Sequence, residues 1–199
     1  MAKVRPAGRP RSFDESEALD RAMRVFWQKG YEGTSTHDLT VVMGIQPGSL
    51  YGTFGNKEEL FRRVLARYLA GPVAFMHKAL QEPTAYAVAE RILRESAVFL
   101  TRRQTPRGCM TIQAAMVGGA QAESVRRKLT RLRVKEERAL RERFERAKKE
   151  QDLPDDCDAA DLARFVTCVF QGMTVQSVNG AKRKQLLRTA DMALRNWPK

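Results

Sequence analysis

Between Thr34 and Leu60 the chain carries two short apolar-patterned runs separated by Gly44 and closed by Asn56, and this spacing leaves little choice of local structure. Ser35 caps a helix with Asp38 three residues on, and Leu39, Val42 and Met43 then share one face. Gly44 ends that helix, because glycine tolerates the left-handed backbone of a tight helix-to-helix turn. Ile45 follows as an apolar plug between the two helices. Pro47 stands at a first-turn position, where its missing N–H is no loss and its fixed φ suits a helix, so 47–54 reads as a second short helix. Its exposed face carries Gln46, Gly48, Ser49, Tyr51 and Gly52. This order is that of a helix-turn-helix.

An ordinary three-helix subdomain accounts for Leu39, Val42, Leu50 and Phe54 as core. It does not account for a short helix that turns Gly, Ser, Tyr and Gly outward, whereas small residues allow close approach to a DNA groove. The order Gly33-Thr34-Ser35, Asp38-Leu39, Gly44-Ile45, Gly48-Ser49-Leu50-Tyr51, Phe54 and Asn56-Lys57-Glu58-Glu59-Leu60 resembles the N-terminal DNA-binding domain of the TetR family of bacterial repressors. The resemblance covers the first third of the chain; the remainder is similar to the family in length and helical pattern. Gln46 departs from the usual Ser or Thr cap, and Thr53 stands where His is common.

Net charge is +13, yet residues 1–60 hold eight basic and eight acidic side chains, so the excess lies in the rest of the chain. Residues 121–150 alone carry twelve basic and six acidic groups, many spaced for i,i+4 pairs such as Glu137 with Arg141 and Glu142 with Arg146, and read as a solvated helix face. Global basicity therefore favours non-specific attraction to DNA without locating a site. Lys3, Arg5, Arg9 and Arg11 form a flexible basic arm over 1–12, suited either to a minor groove, with Arg9 and Arg11 nearest the first helix, or to solubility alone.

The 43% apolar content is ample for a core. Three cysteines, Cys109, Cys157 and Cys168, show neither a disulfide framework nor metal-ligand spacing, which fits a reducing cytoplasm. No run approaches the ~20 apolar residues of a membrane span. With no phosphate-binding Gly loop, nucleophile elbow or metal motif, and with His37 and His77 far apart, no cofactor, metal or enzymatic activity is expected.

Caps and breakers predict an all-α fold of about nine helices. Its first is a helix-turn-helix domain over 13–55, followed by a helical ligand-binding and dimerisation domain over 56–199. Asn56 opens a linker helix that Gly71-Pro72 kinks or breaks, and further helices run from Pro83 to about Arg103, Cys109 to Gly118, Gln121 to about Lys149, through 162–173, and from 186 to 197. Leu162, Phe165, Val166, Val169, Phe170 and Met173, with Leu187 and Leu194, are apolar enough either to close their own domain or to pair with a second copy. The family resemblance implies a homodimer through the final two helices.

A dimer of such readers implies a pseudo-palindromic double-stranded operator. Gln46, Pro47, Gly48 and Ser49 then lie nearest base edges, and Tyr51, Lys57, Thr34 and Ser35 hold phosphates. The resemblance also implies a repressor released when a small molecule enters the C-terminal helices. Candidate lining residues are Tyr68, Phe75, Met76, Phe99, Cys109, Met110, Met116, Phe144, Phe165 and Met173, suited to an apolar effector, although each is equally explained as core. Cys109 follows Arg107-Gly108 at a helix start, where a cation and the helix dipole would favour a thiolate that reacts with electrophiles; a small buried residue is the alternative. Cys168 reads as structural, and Cys157 as a thiol raised in pKa by neighbouring Asp. A non-specific architectural DNA-binding protein, or an enzyme with its site among the C-terminal helices, are the competing functions.

Overall fold

Ten helices and no strand make up the described residues, 13–116 and 122–198, of the computed structural model. They are α1 Glu15–Lys29, α2 Thr36–Met43, α3 Pro47–Phe54, α4 Lys57–Ala70, α5 Ala74–Ala79, α6 Ala85–Phe99, α7 Met110–Met116, α8 Glu123–Lys149, α9 Ala159–Val178 and α10 Arg183–Arg195. Arg9, Arg11 and the side chain of Met116 lie outside the described residues. The helix beyond the expected nine is α5, since Gly71-Pro72 breaks the linker helix outright and one short turn re-forms before Pro83. The helix after Pro83 starts later and ends sooner than its pattern suggests, with Thr84 as its N-cap.

The N-terminal helices are set by their caps. Asp14 accepts from Ser16 and Glu17 N–H to start α1, Ser35 and Asp38 form a reciprocal capping box on α2, and Asn56 accepts from Glu59 N–H on α4. Gly44 takes up φ 68° and ψ 34°, the left-handed turn that α2 and α3 require. Leu39, Met43, Leu50 and Phe54 close this unit against Ala18, Ala22 and Phe26 of α1 and Leu60 and Phe61 of α4, with Phe26 and Phe61 edge to face at 5.1 Å.

No gap in the buried core separates this unit from the C-terminal helices. Trp27 of α1 stacks on Phe99 of α6 at 5.5 Å and meets Tyr68 of α4 edge-on at 5.0 Å. α8 packs along α9, and α10 closes against α6 and α9. In the C-terminal half of α8 the i,i+4 ion pairs run from Arg to Glu, Arg138–Glu142, Arg141–Glu145 and Arg146–Glu150, in place of the expected Glu137–Arg141 and Glu142–Arg146. Glu137 reaches across to Arg164 on α9 instead, at 3.9 Å. Among the described residues no helix is long and apolar enough to cross a membrane.

Candidate functional site

The outward face of α3 is built from residues that packing does not need. Gln46, Pro47, Gly48, Tyr51 and Gly52 are exposed and Ser49 is half-buried, while Leu50 and Phe54 face the core. A Cβ added at Gly48 or Gly52 would meet nothing within 4 Å, and neither glycine has positive φ, so neither turn geometry nor core space calls for glycine there. Gln46 occupies the N-cap without making a cap bond, leaving its amide free to reach outward.

Other residues expected on this surface are already engaged. Thr34 is buried, and its hydroxyl donates to the Gly30 carbonyl at 2.6 Å; the expected phosphate contact is corrected to a brace on the α1–α2 turn. Ser35 is exposed but spends its hydroxyl on Asp38 N–H, and Lys29 first, then the Ser35 backbone N–H, hold the Asp38 carboxyl well below the usual carboxylate range. The Lys57 ammonium sits 4.4 Å above the Tyr31 ring, where burial lowers its pKa while Glu32 and Asp38 oppose that shift. Val41 escaped the sequence reading. It stands 64% exposed on α2, off the Leu39–Met43 stripe, and that apolar residue on the wrong face was the available signal.

A cavity of about 60 Å³, room for a few waters, lies among α4, α5, α6, α7, α8 and α9. Leu69, Met76, Ile92, Leu140, Val166 and Phe170 supply apolar wall; His77, Cys109, Thr111, Arg133, Glu136, Glu137, Thr167 and Gln171 are polar. Of the expected lining, Met76 and Cys109 are there. Tyr68, Phe75, Phe99, Met110, Phe144 and Met173 are buried core off the wall, and Phe165 is exposed on the outside of α9. The polar wall was missed because Arg133 and Glu136 belong to a run of charges whose helix period does not distinguish cavity from solvent.

Cys109 differs from its expectation. Arg107 turns away from the thiol, donating to the Ser177 and Ala181 carbonyls at 3.1 Å each. Burial raises the thiol pKa, with hydrogen bonds from Thr111 and Tyr68 opposing. The Tyr68 hydroxyl donates to Cys109 Sγ at 3.3 Å and accepts from Met110 N–H at 3.2 Å, and its own pKa is pushed well up by burial. Next to it the Trp27 indole donates to the Gly108 carbonyl at 3.1 Å. Cavity wall, α1 and α4 thus meet over three residues. Burial also pushes the Glu136 carboxyl up to about 7, Arg133 pulling the other way. For Cys157 burial raises the pKa more than Asp156 and Asp158 do.

The expected dimer residues divide by face. Leu162, Val166, Phe170, Met173 and Leu194 are buried in their own domain, Val169 and Leu187 are partly buried against it, and Phe165 is exposed. What α9 presents outward is Phe165, Cys168, Gly172 and Val175, alternating four and three residues apart, with Val178 beyond and Met192 on α10. Cys168, expected to be structural, is exposed on this seam, and Gly172 has open space where a Cβ would be.

Residues 18–64 match the family model described as bacterial regulatory proteins, tetR family, and residues 88–192 match the model of the tetracyclin repressor-like C-terminal domain. The HTH-type transcriptional repressor ComR of Escherichia coli (strain K12) is 34% identical over 194 residues, 96% of this chain and 92% of its own. The repressor BdcR of the same organism is 28% identical over 95% of this chain and 91% of its own. Among solved structures, the regulator CifR, as a cysteine mutant complexed with 26-base-pair double-strand operator DNA, superposes with a TM-score of 0.91 at 42% identity, covering 96% of this chain and 100% of that one.

Proposed function

The chain belongs to the tetR family of bacterial regulatory proteins, and from that premise we propose that it is a cytoplasmic, homodimeric repressor released from a pseudo-palindromic operator by a small, mainly apolar effector. The observation that carries the reading is the α3 face. Gly48 and Gly52 lower the stability of their own helix and relieve no clash, so their use lies in letting the backbone approach a major groove, with Gln46 and Ser49 at base edges and Tyr51 at phosphate.

Two copies pair through the outward seam of α9, Phe165 and Val175 supplying apolar area and Gly172 close approach, which sets two α3 helices about 34–36 Å apart. The effector enters the cavity. Leu69 of α4 is in its wall, and α4 also carries Leu60 and Phe61 of the reader core, so widening the cavity swings that helix. Tyr68–Cys109 and Trp27–Gly108 tie the same wall to α4 and α1. Release requires that the effector bind the spread state better than the DNA-competent one, since equal affinity shifts nothing. A thiol held protonated by burial favours reversible binding over covalent capture at Cys109.

Selection of bound duplexes from a random pool, at near-physiological salt with purified protein, tests this reading. A pseudo-palindrome with half-sites one helical turn apart is expected; enrichment without symmetry, or none, overturns it.

A further inference from the structure

We propose that the cavity recognises a small apolar amine, its ammonium seated against the carboxylate of Glu136. The inference rests on reading this cavity as the effector site. Glu136 projects from α8 among the apolar residues Leu69, Met76, Leu140 and Phe170, and among the described residues its carboxyl makes no hydrogen bond or ion pair. The other charged or titratable groups of the cavity are His77 on α5, Cys109, Arg133, whose charge lowers the Glu136 pKa without a direct bond to it, and Glu137. Arg133, one turn before it, donates to the Thr111 carbonyl at 3.1 Å and to Thr130 Oγ1 at 3.0 Å, and Glu137 faces Arg164.

Glu136 is partly withdrawn from water by the cavity wall, and that burial favours its protonated form while the Arg133 charge opposes it. Its pKa stays elevated because Arg133 does not offset that burial. An ammonium entering the cavity supplies the charge, converts the group to carboxylate and gains charge-assisted hydrogen bonds in a medium that screens them little. An anionic ligand would oppose ionisation of Glu136 and find the Arg133 guanidinium already donating to Thr111 and Thr130, and a purely apolar ligand would leave the acid unsatisfied. With about 60 Å³ open, the ligand is small, and Met76, unbranched and flexible, is the wall residue that yields to it.

Benzylamine and benzyl alcohol share a ring and differ in charge, so they separate the cation from its apolar carrier. Titration calorimetry on the full-length protein at pH 8 should show benzylamine binding at least tenfold tighter than the alcohol, with that preference lost in Glu136→Gln. Equal binding of the two by the wild-type protein, or no binding of the amine, overturns the proposal whether or not the variant folds, as does a preference that survives in a folded Glu136→Gln. No DNA enters the measurement. Its failure leaves the operator reading standing, and failure of duplex selection leaves the amine preference measured.

Discussion

At Gly48 and Gly52, helix stability and the proposed contact pull in opposite directions, which makes them the sharpest residues to change. Alanine at either position meets open space and should raise stability, by about 0.5–1 kcal/mol at helix-interior Gly52 and less near the helix start. Operator affinity should fall by about tenfold, the equivalent of ~1.4 kcal/mol, because the added methyl stands in the path of the groove. Thermal unfolding beside fluorescence anisotropy on the selected duplex checks both signs at once; a gain in stability with unchanged affinity would remove α3 from the interface. Glu136 is the other residue with a signed expectation. The folded state keeps its proton to about pH 7, whereas the unfolded chain releases it near 4.5, so native protein binds more protons across that window and stability declines as pH rises through it. Glu136→Gln removes that decline. The variant should match wild type at pH 4 and exceed it at pH 8 by on the order of 2 kcal/mol, several degrees in Tm. Parallel unfolding curves at both pH values decide it.

Elements were legible where their information is local. Ser35 with Asp38, Gly44 and Asn56 act within three or four residues of themselves, and each starts or stops the helix its neighbourhood foretells. What chain-distant elements bring together was not legible. Tyr68 and Phe99 were equally good cavity candidates by type, but both pack against Trp27 from α1 as well as against each other. Arg107 is two residues from Cys109 in sequence and points instead to the turn between α9 and α10. On α9 the apolar residues exceed one face, and which of them go inward depends on where α8 and α10 lie, so buried Leu162, Val166, Phe170 and Met173 and the outward seam share one periodic pattern. The seam carries its own prediction. Phe165→Glu should convert the dimer to monomer in sedimentation and expose Cys168, so that its alkylation by iodoacetamide becomes fast in the variant and slow in wild type. Equal rates, with both proteins dimeric, would move the interface off this face.

For the molecule as a whole, the basic excess and the reading surface lie apart. Residues 1–60 carry no net charge although they hold the reader, and the surplus sits in the C-terminal two-thirds. Phosphate attraction from that surplus strengthens at low salt and is blind to sequence, while contacts from two correctly spaced α3 helices are neither. The continuous core joins the reader helices to the cavity wall, since α1 and α4 are both fastened to residues 108–110. The most direct measurement is the affinity of the purified dimer, at near-physiological salt, for its selected duplex and for a scrambled duplex of the same length and composition. A sequence-reading repressor should prefer the selected duplex by about a thousandfold or more. Equal affinity for the two would contradict the account and identify a protein held to DNA by charge alone.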